Sequence, residues 1–304
     1  MKEEWFELTA PDGLVRRGIL TLPDSPASSA VILLPAGLKY HVGPHGLNVR
    51  LARSLAAAGH LALRFDPLGV GESDGALPAA PLADLWHAIG KGLFVDDALL
   101  AGRALRERHG VRSVVMGGVC GGALTAQLAA WREPASVQGV LSFGTSVSLP
   151  PLSGEESAGM AYDVARQHTR SYLKKLTSKD AWLRVARGET DFRGLLGVLG
   201  TTARGWMQPA APAEQPIPDE NPYFMESFRS LQRNGISHLM IFGGSDNLWL
   251  EFESGVLGPR LGGKYQDAHY QIHVIAQANH ELQFREWSLE AVAASRTWMA
   301  RFLG

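Results

Sequence analysis

A single cysteine, Cys120, stands in the 304 residues, so no disulfide can form within the chain and no site built from several thiolates is available to a metal. No apolar run approaches the roughly 20 residues of a membrane-spanning helix. The opening residues Met1-Lys2-Glu3-Glu4-Trp5-Phe6-Glu7 lack the apolar core of a secretion signal. Excess charge of either sign is missing too: 29 Lys and Arg face 30 Asp and Glu, for a net charge of -1, without a dense basic patch. No nucleic-acid partner is therefore expected. Together these absences predict a soluble cytoplasmic protein whose partner is a small molecule. With 45% hydrophobic and 19% charged residues, the chain can bury one large core or a core with an insertion.

What is present is an alternation of strand and helix patterns. Residues 4–22 form two alternating runs split by Pro11-Asp12-Gly13, which predicts a hairpin. Apolar runs at 30–34, 61–65, 111–116, 137–143, 237–242 and 270–275 suit strands buried on both faces of a parallel sheet. Helical spacing marks 47–58, stopped by Gly59, and also 94–108, 123–130 and 287–302. The prediction is an α/β fold: a mostly parallel central sheet with right-handed crossovers, flanked by helices. From 150 to 223 the alternation stops, and helical segments at 162–175, 182–186 and 194–205 run into a Pro- and Ala-rich stretch at 208–218. This divides the chain into a core of residues 1–149 and 224–304 and a helical lid over 150–223. Tyr172, Trp182 and Trp206 either shape a substrate pocket from the lid or only pack it on the core.

Two glycine-rich loops follow predicted strands. Residues 66–75 contain G-x-G without a subsequent G-K-[ST], which favours a tight turn over a phosphate loop. Residues 35–46 hold His41 and His45 four apart, but a Gly/Pro loop does not put them on one helical face and no third ligand stands nearby. No metal is expected, and His41 is instead a candidate substrate contact.

The rest of the chain is organised around Gly117-Gly118-Val119-Cys120-Gly121-Gly122, placed between a strand and a helix. This order resembles the nucleophile elbow of the α/β-hydrolase fold, where residues two before and two after the nucleophile are small because strand and helix cross there. Gly118 and Gly122 hold those places around Cys120. The resemblance implies a triad in the order nucleophile, acid, histidine, each in a loop after a strand. Asp246 and His280 meet both conditions, and the rival acid position, Phe143-Gly144-Thr145-Ser146, contains no carboxylate. Asp66, Asp96 and Asp97 precede the elbow and are assigned to capping or loop bracing, and Glu281 to a solvated or supporting role. The oxyanion hole of this fold implies the backbone N–H of Gly121 and one from the 35–46 loop, for which Leu38 is nominated.

Cysteine in place of serine alters the expected chemistry. A thiol ionises more readily than a hydroxyl, and a helix N-terminus and a neighbouring imidazole favour the thiolate. A Cys120 thiolate paired with imidazolium His280, oriented by Asp246, is expected to attack an acyl carbonyl and form a thioester, without a cofactor. Thioesters pass readily to amines and thiols, so an acyltransferase or condensing enzyme is an alternative to a hydrolase. A non-catalytic binder and an acid–base lyase or cyclase are the others.

The elbow Gly-Val-Cys-Gly-Gly is also similar to that of dienelactone hydrolases, over a few residues. Longer stretches, residues 37–45, 51–59, 63–75, 172–176 and 182–193, resemble the exosortase A system-associated hydrolases of bacteria. That likeness spans most of residues 30–205, and the family carries cysteine at the elbow, with triad positions matching Cys120, Asp246 and His280. The chain departs at Gly121, where the family usually has an acidic residue, and at Pro67 and Leu68, where an aromatic and an arginine are usual. These changes imply a different substrate. Relatives in biosynthetic gene clusters act as thioesterases or acyltransferases, so the resemblance implies release or transfer of a biosynthetic acyl intermediate, which a carrier could hold.

Overall fold

In the computed structural model, which describes residues 1–154 and 217–303, strands β1 (Lys2–Thr9) and β2 (Val15–Leu22) pair antiparallel, from Lys2 opposite Leu22 to Thr9 opposite Val15. Gly13 takes φ +81 in the turn between them. On β1, Phe6 and Leu8 face inward while Trp5 and Glu7 face solvent, the alternation of an edge strand with one wet face.

The central parallel strands do not alternate. β3 (Ser29–Leu34), β4 (Leu61–Asp66) and β6 (Gly139–Phe143) are buried at every position, and β5 (Ser113–Val119) and β7 (Ser237–Gly243) at all but the first. Runs of Val, Ile and Leu suit this because helices cover both faces of a parallel sheet. With β8 (Tyr270–Ile275) the eight strands form one sheet in the order β1-β2-β4-β3-β5-β6-β7-β8. Only the β1–β2 and β2–β4 pairings are antiparallel. The sheet is the α/β-hydrolase-type sheet that the sequence predicted, and all parallel strands deliver their following loops to one edge.

The described helices are α1 (Leu47–Ala57), α2 (Leu82–Gly90), α3 (Val95–His109), α4 (Gly121–Arg132), α5 (Phe224–Arg233), α6 (Asn247–Phe252) and α7 (Arg285–Leu303), with a short continuation of α6 at Glu253–Leu261. Periodicity anticipated α1, α3, α4 and α7. It did not anticipate α2, nine residues after Pro81, whose buried side chains are only Leu85 and Ile89 beside Gly90. Nor was α5 among the predicted helices, although Phe224, Phe228 and Leu231 recur at helical spacing and are buried.

One core cluster joins Val31 and Leu33 of β3, Val115 of β5, Leu141 of β6 and Ile241 of β7 to Leu51 and Leu55 of α1 and to Trp298 and Met299 of α7. Met1–Glu155 and Glu220–Gly304 form one compact unit. Apart from its two ends, the lid expected over 150–223 lies outside the described residues, and Tyr172, Trp182 and Trp206 lie outside them as well. Among the described residues no helix is long and apolar enough to cross a membrane.

Candidate active site

Between the end of β5 and the start of α4, Cys120 adopts φ +53 and ψ -113, a backbone conformation that residues with a side chain avoid. Two hydrogen bonds hold it there. Its N–H donates to the Phe143 carbonyl of β6 at 2.8 Å, and its carbonyl accepts the Leu124 N–H at 3.1 Å to begin the helix. The crossing is tight. A Cβ at Gly118 would lie 2.7 Å from the Leu34 carbonyl oxygen, and one at Gly122 would lie 2.4 Å from that of Pro35. Both obstacles are backbone atoms, so neither can step aside. Gly122→Ala is therefore expected to cost about 1–3 kcal/mol, lowering the melting temperature by roughly 2–4 °C per kcal/mol. Thermal unfolding reads this directly, and an unchanged melting temperature would mean that strand and helix can separate without penalty.

Asp246 follows β7 and caps α6. Its Oδ1 accepts the Leu248 N–H at 3.0 Å, and its Oδ2 lies 2.8 Å from Nδ1 of His280. Being 5% exposed, it is held in one orientation by these two bonds. His280, in the loop after β8, also lies close enough to Cys120 for the cysteine side chain to act on its titration. Burial pushes the imidazole toward its neutral form. The hydrogen bond to Asp246, first among the opposing influences, outweighs it together with the nearby Cys120 and raises the pKa from 6.5 to about 10. Asp246 therefore favours the protonated ring.

Two backbone donors adjoin the elbow. In the loop after β3, the Gly37 N–H donates to the Pro35 carbonyl at 2.9 Å and the Lys39 N–H to the Ala36 carbonyl at 3.2 Å. The Leu38 N–H between them, like the Gly121 N–H at the first position of α4, donates to no acceptor among the described residues. A Cβ at Gly121 would come within 3.2 Å of the Gly37 Cα, which puts the loop bearing Leu38 directly against the residue after Cys120. The unspent Gly121 N–H at the start of α4 favours negative charge.

The sequence and the sheet together now identify the family. Residues 29–187, more than half of the 304-residue chain, match the family model described as the alpha/beta hydrolase fold. The chain belongs to this family. A Pyrococcus furiosus esterase has a TM-score of 0.60 at 13% identity, with 100% of this chain and 92% of that one covered. Dienelactone hydrolase from Anabaena variabilis gives 0.56 at 14% identity, with 99% of each chain covered. For the alpha/beta hydrolase GrgF from Penicillium sp. sh18 the values are 0.53 and 15%, over 100% of this chain and 98% of that one. At these identities the likeness is one of fold. No curated protein matches the sequence significantly.

Other candidates in this α/β-hydrolase occupy different places. His41 is buried and turned inward, with Nδ1 2.7 Å from Oδ2 of Asp66, which also accepts the Glu72 N–H at 3.2 Å. His45 faces Glu281 instead, Nε2 to Oε2 at 3.2 Å, so the two loop histidines serve separate carboxylates. Of the glycines in residues 66–75, Gly71 serves that buried pair: a Cβ there would lie 2.2 Å from Asp66 Oδ2. Asp97 braces the same turn, its Oδ2 accepting the Leu68 N–H at 2.7 Å while Oδ1 meets Arg16 Nε at 2.9 Å. Asp96 pairs with Arg132 on the surface. Glu281 also takes Lys39 Nζ at 2.5 Å and so ties the Leu38 loop to the His280 loop. Both groups are exposed, and such a pair contributes little stability.

Sequence reading missed Trp86, whose ring sits where a Cβ at Gly37 would be, 2.2 Å away, and Ile89, whose Cγ2 is 2.9 Å from a Cβ at Gly121. Both lie on α2, and no motif announces them. A second histidine contact, Ser142 Oγ to His238 Nε2 at 2.8 Å, joins β6 to β7. Both residues are closed to solvent, and burial drives the His238 pKa down to about 3. Among the described residues no carboxylate orients that ring and its Nδ1 has no partner. This pair is packing within the sheet. Among the described residues, no group of three or more His, Cys, Asp or Glu is arranged to hold a metal.

Proposed function

We propose that this α/β-hydrolase is a cysteine-dependent acyl hydrolase acting on an ester or thioester. The observation that carries the reading is His280 bonded to Asp246 at 2.8 Å, with Cys120 acting on the same ring from a positive-φ elbow. In the proposed cycle the Cys120 thiolate attacks the acyl carbon and forms a C–S bond, while the carbonyl electrons move to oxygen under the N–H groups of Gly121 and Leu38. Collapse of this intermediate breaks the bond to the leaving alkoxide or thiolate, which takes the proton of imidazolium His280. The product is a thioester on Cys120. Neutral His280 then removes a proton from water as its oxygen attacks the thioester, and the second collapse releases the acid and the Cys120 thiolate. Asp246 holds the ring and balances its charge.

Family membership supports hydrolase chemistry, and the fold shared with an esterase and a dienelactone hydrolase is compatible with it. The likeness to exosortase A system-associated hydrolases supports a biosynthetic acyl substrate, and a carrier-bound intermediate fits the same chemistry. Intact mass spectrometry after mixing with a panel of acyl thioesters and activated esters tests the reading. An acyl adduct is expected on the wild type and absent from Cys120→Ala. Its discharge in buffer alone marks a hydrolase, whereas discharge only with an added amine or thiol replaces hydrolysis by acyl transfer. No adduct and no turnover across the panel, with Cys120 inert to iodoacetamide near neutral pH, would overturn the proposal.

A further inference from the structure

The end of β6 contributes no catalytic side chain, yet all three candidate residues meet it. Phe143 supplies the carbonyl that accepts the Cys120 N–H at 2.8 Å. One residue later, a Cβ at Gly144 would lie 2.9 Å from both Nδ1 and Cε1 of His280 and 3.2 Å from Oδ2 of Asp246. Gly144 cannot retreat from them. Its N–H donates to the Ile241 carbonyl of β7 at 2.9 Å, its φ is +56, and the next residue, Thr145, is fully buried.

We propose that Gly144 is a positioning residue: its bare backbone is the floor on which the His280 imidazole lies, and this lets one ring reach Asp246 and Cys120 together. The inference rests on the reading of Cys120, His280 and Asp246 as the reacting group. A separation of 2.9 Å is shorter than real Cβ contacts, so a methyl group at 144 must move something. Asp246 is pinned by the Leu248 N–H, and β6 is pinned between β5 and β7. The imidazole, partly exposed on a loop, is the group that gives way. Displacing it lengthens its bond to Asp246, its distance from Cys120, or both, and misplacements of about 1 Å in a catalytic group can cost on the order of 100-fold in rate.

The same geometry accounts for the missing carboxylate at the end of β6. A side chain at 144 would occupy the ring's own place, so that position cannot supply the acid.

The test separates the steric effect from backbone strain. Gly235 has φ +67 and nothing within 4 Å of its Cβ position, so Gly235→Ala carries similar strain without the collision. Wild type, Gly144→Ala, Gly235→Ala and His280→Ala are compared for the rate of Cys120 alkylation by iodoacetamide from mildly acidic to mildly alkaline pH, with circular dichroism confirming the fold. Gly144→Ala is expected to alkylate at least about tenfold more slowly near neutral pH, with a pH profile moved toward that of His280→Ala, while Gly235→Ala keeps the wild-type profile. If Gly144→Ala does not fold, Gly144→Asn takes its place, because Asn tolerates positive φ and carries the same Cβ. A folded variant at 144 with a wild-type profile overturns the positioning role. A His280→Ala profile that matches wild type instead removes the triad reading itself.

Discussion

Exchanging His280 for alanine should lower turnover of an alkyl thioester or ester by about 10³-fold or more, in the range found when one member of a triad is removed. The loss has two parts. Acylation loses the proton donor for the leaving group and the positive charge that faces the Cys120 thiolate, while deacylation loses the base that activates water. An activated ester expels its leaving group without a proton, so the first part shrinks for such a substrate and the second does not. Single-turnover kinetics should therefore show an adduct that still forms from an activated ester but discharges far more slowly than in the wild type. Turnover within tenfold of wild type for unactivated substrates would sink the role given to His280.

Replacing Asp246 with asparagine should lower kcat/KM by about 10²–10⁴-fold and move the titration of His280 downward. Burial is the largest influence on that ring and favours the neutral form, and the hydrogen bond to Asp246 is the first of the groups opposing it. Removing the carboxylate charge leaves burial less opposed, so the pKa falls from about 10. The sign for stability follows. A folded-state pKa raised from 6.5 to about 10 contributes stability that is complete below the unfolded value and is lost as pH climbs through the folded one. The deficit of Asp246→Asn relative to wild type should thus be greatest under acidic conditions, so long as Asp246 stays ionised, and shrink toward pH 10. Imidazole NMR titration and unfolding at several pH values measure the two effects. A His280 pKa that stays near 10 in the variant would remove Asp246 from this account.

Much of the fold is legible in the chain because a parallel sheet covered on both faces needs strands such as Ala30-Val31-Ile32-Leu33-Leu34, and no surface strand would tolerate that run. The elbow is legible for a steric reason. Glycines at 118 and 122 are demanded by backbone oxygens at 2.7 and 2.4 Å, so the need is written in residue type. Chain order in a sheet of this kind put Asp246 and His280 in loops after successive strands, and the fold brings them to a 2.8 Å contact across 34 residues.

What the sequence determined by itself was the strands of the sheet, four of the helices around it, their order, and the chemistry available at the strand ends. Tertiary structure alone decided which way the loop residues turn. His41 goes inward to Asp66, Glu281 reaches Lys39 across 242 residues, and Gly144 lies beneath an imidazole from a strand two places away. These outcomes depend on the order β2-β4-β3-β5-β6-β7-β8, which sets the neighbours of each loop. Hydrophobic period reports which face of an element is buried, a local property of the chain. It carries no term for which distant backbone will stand an ångström too close for a side chain.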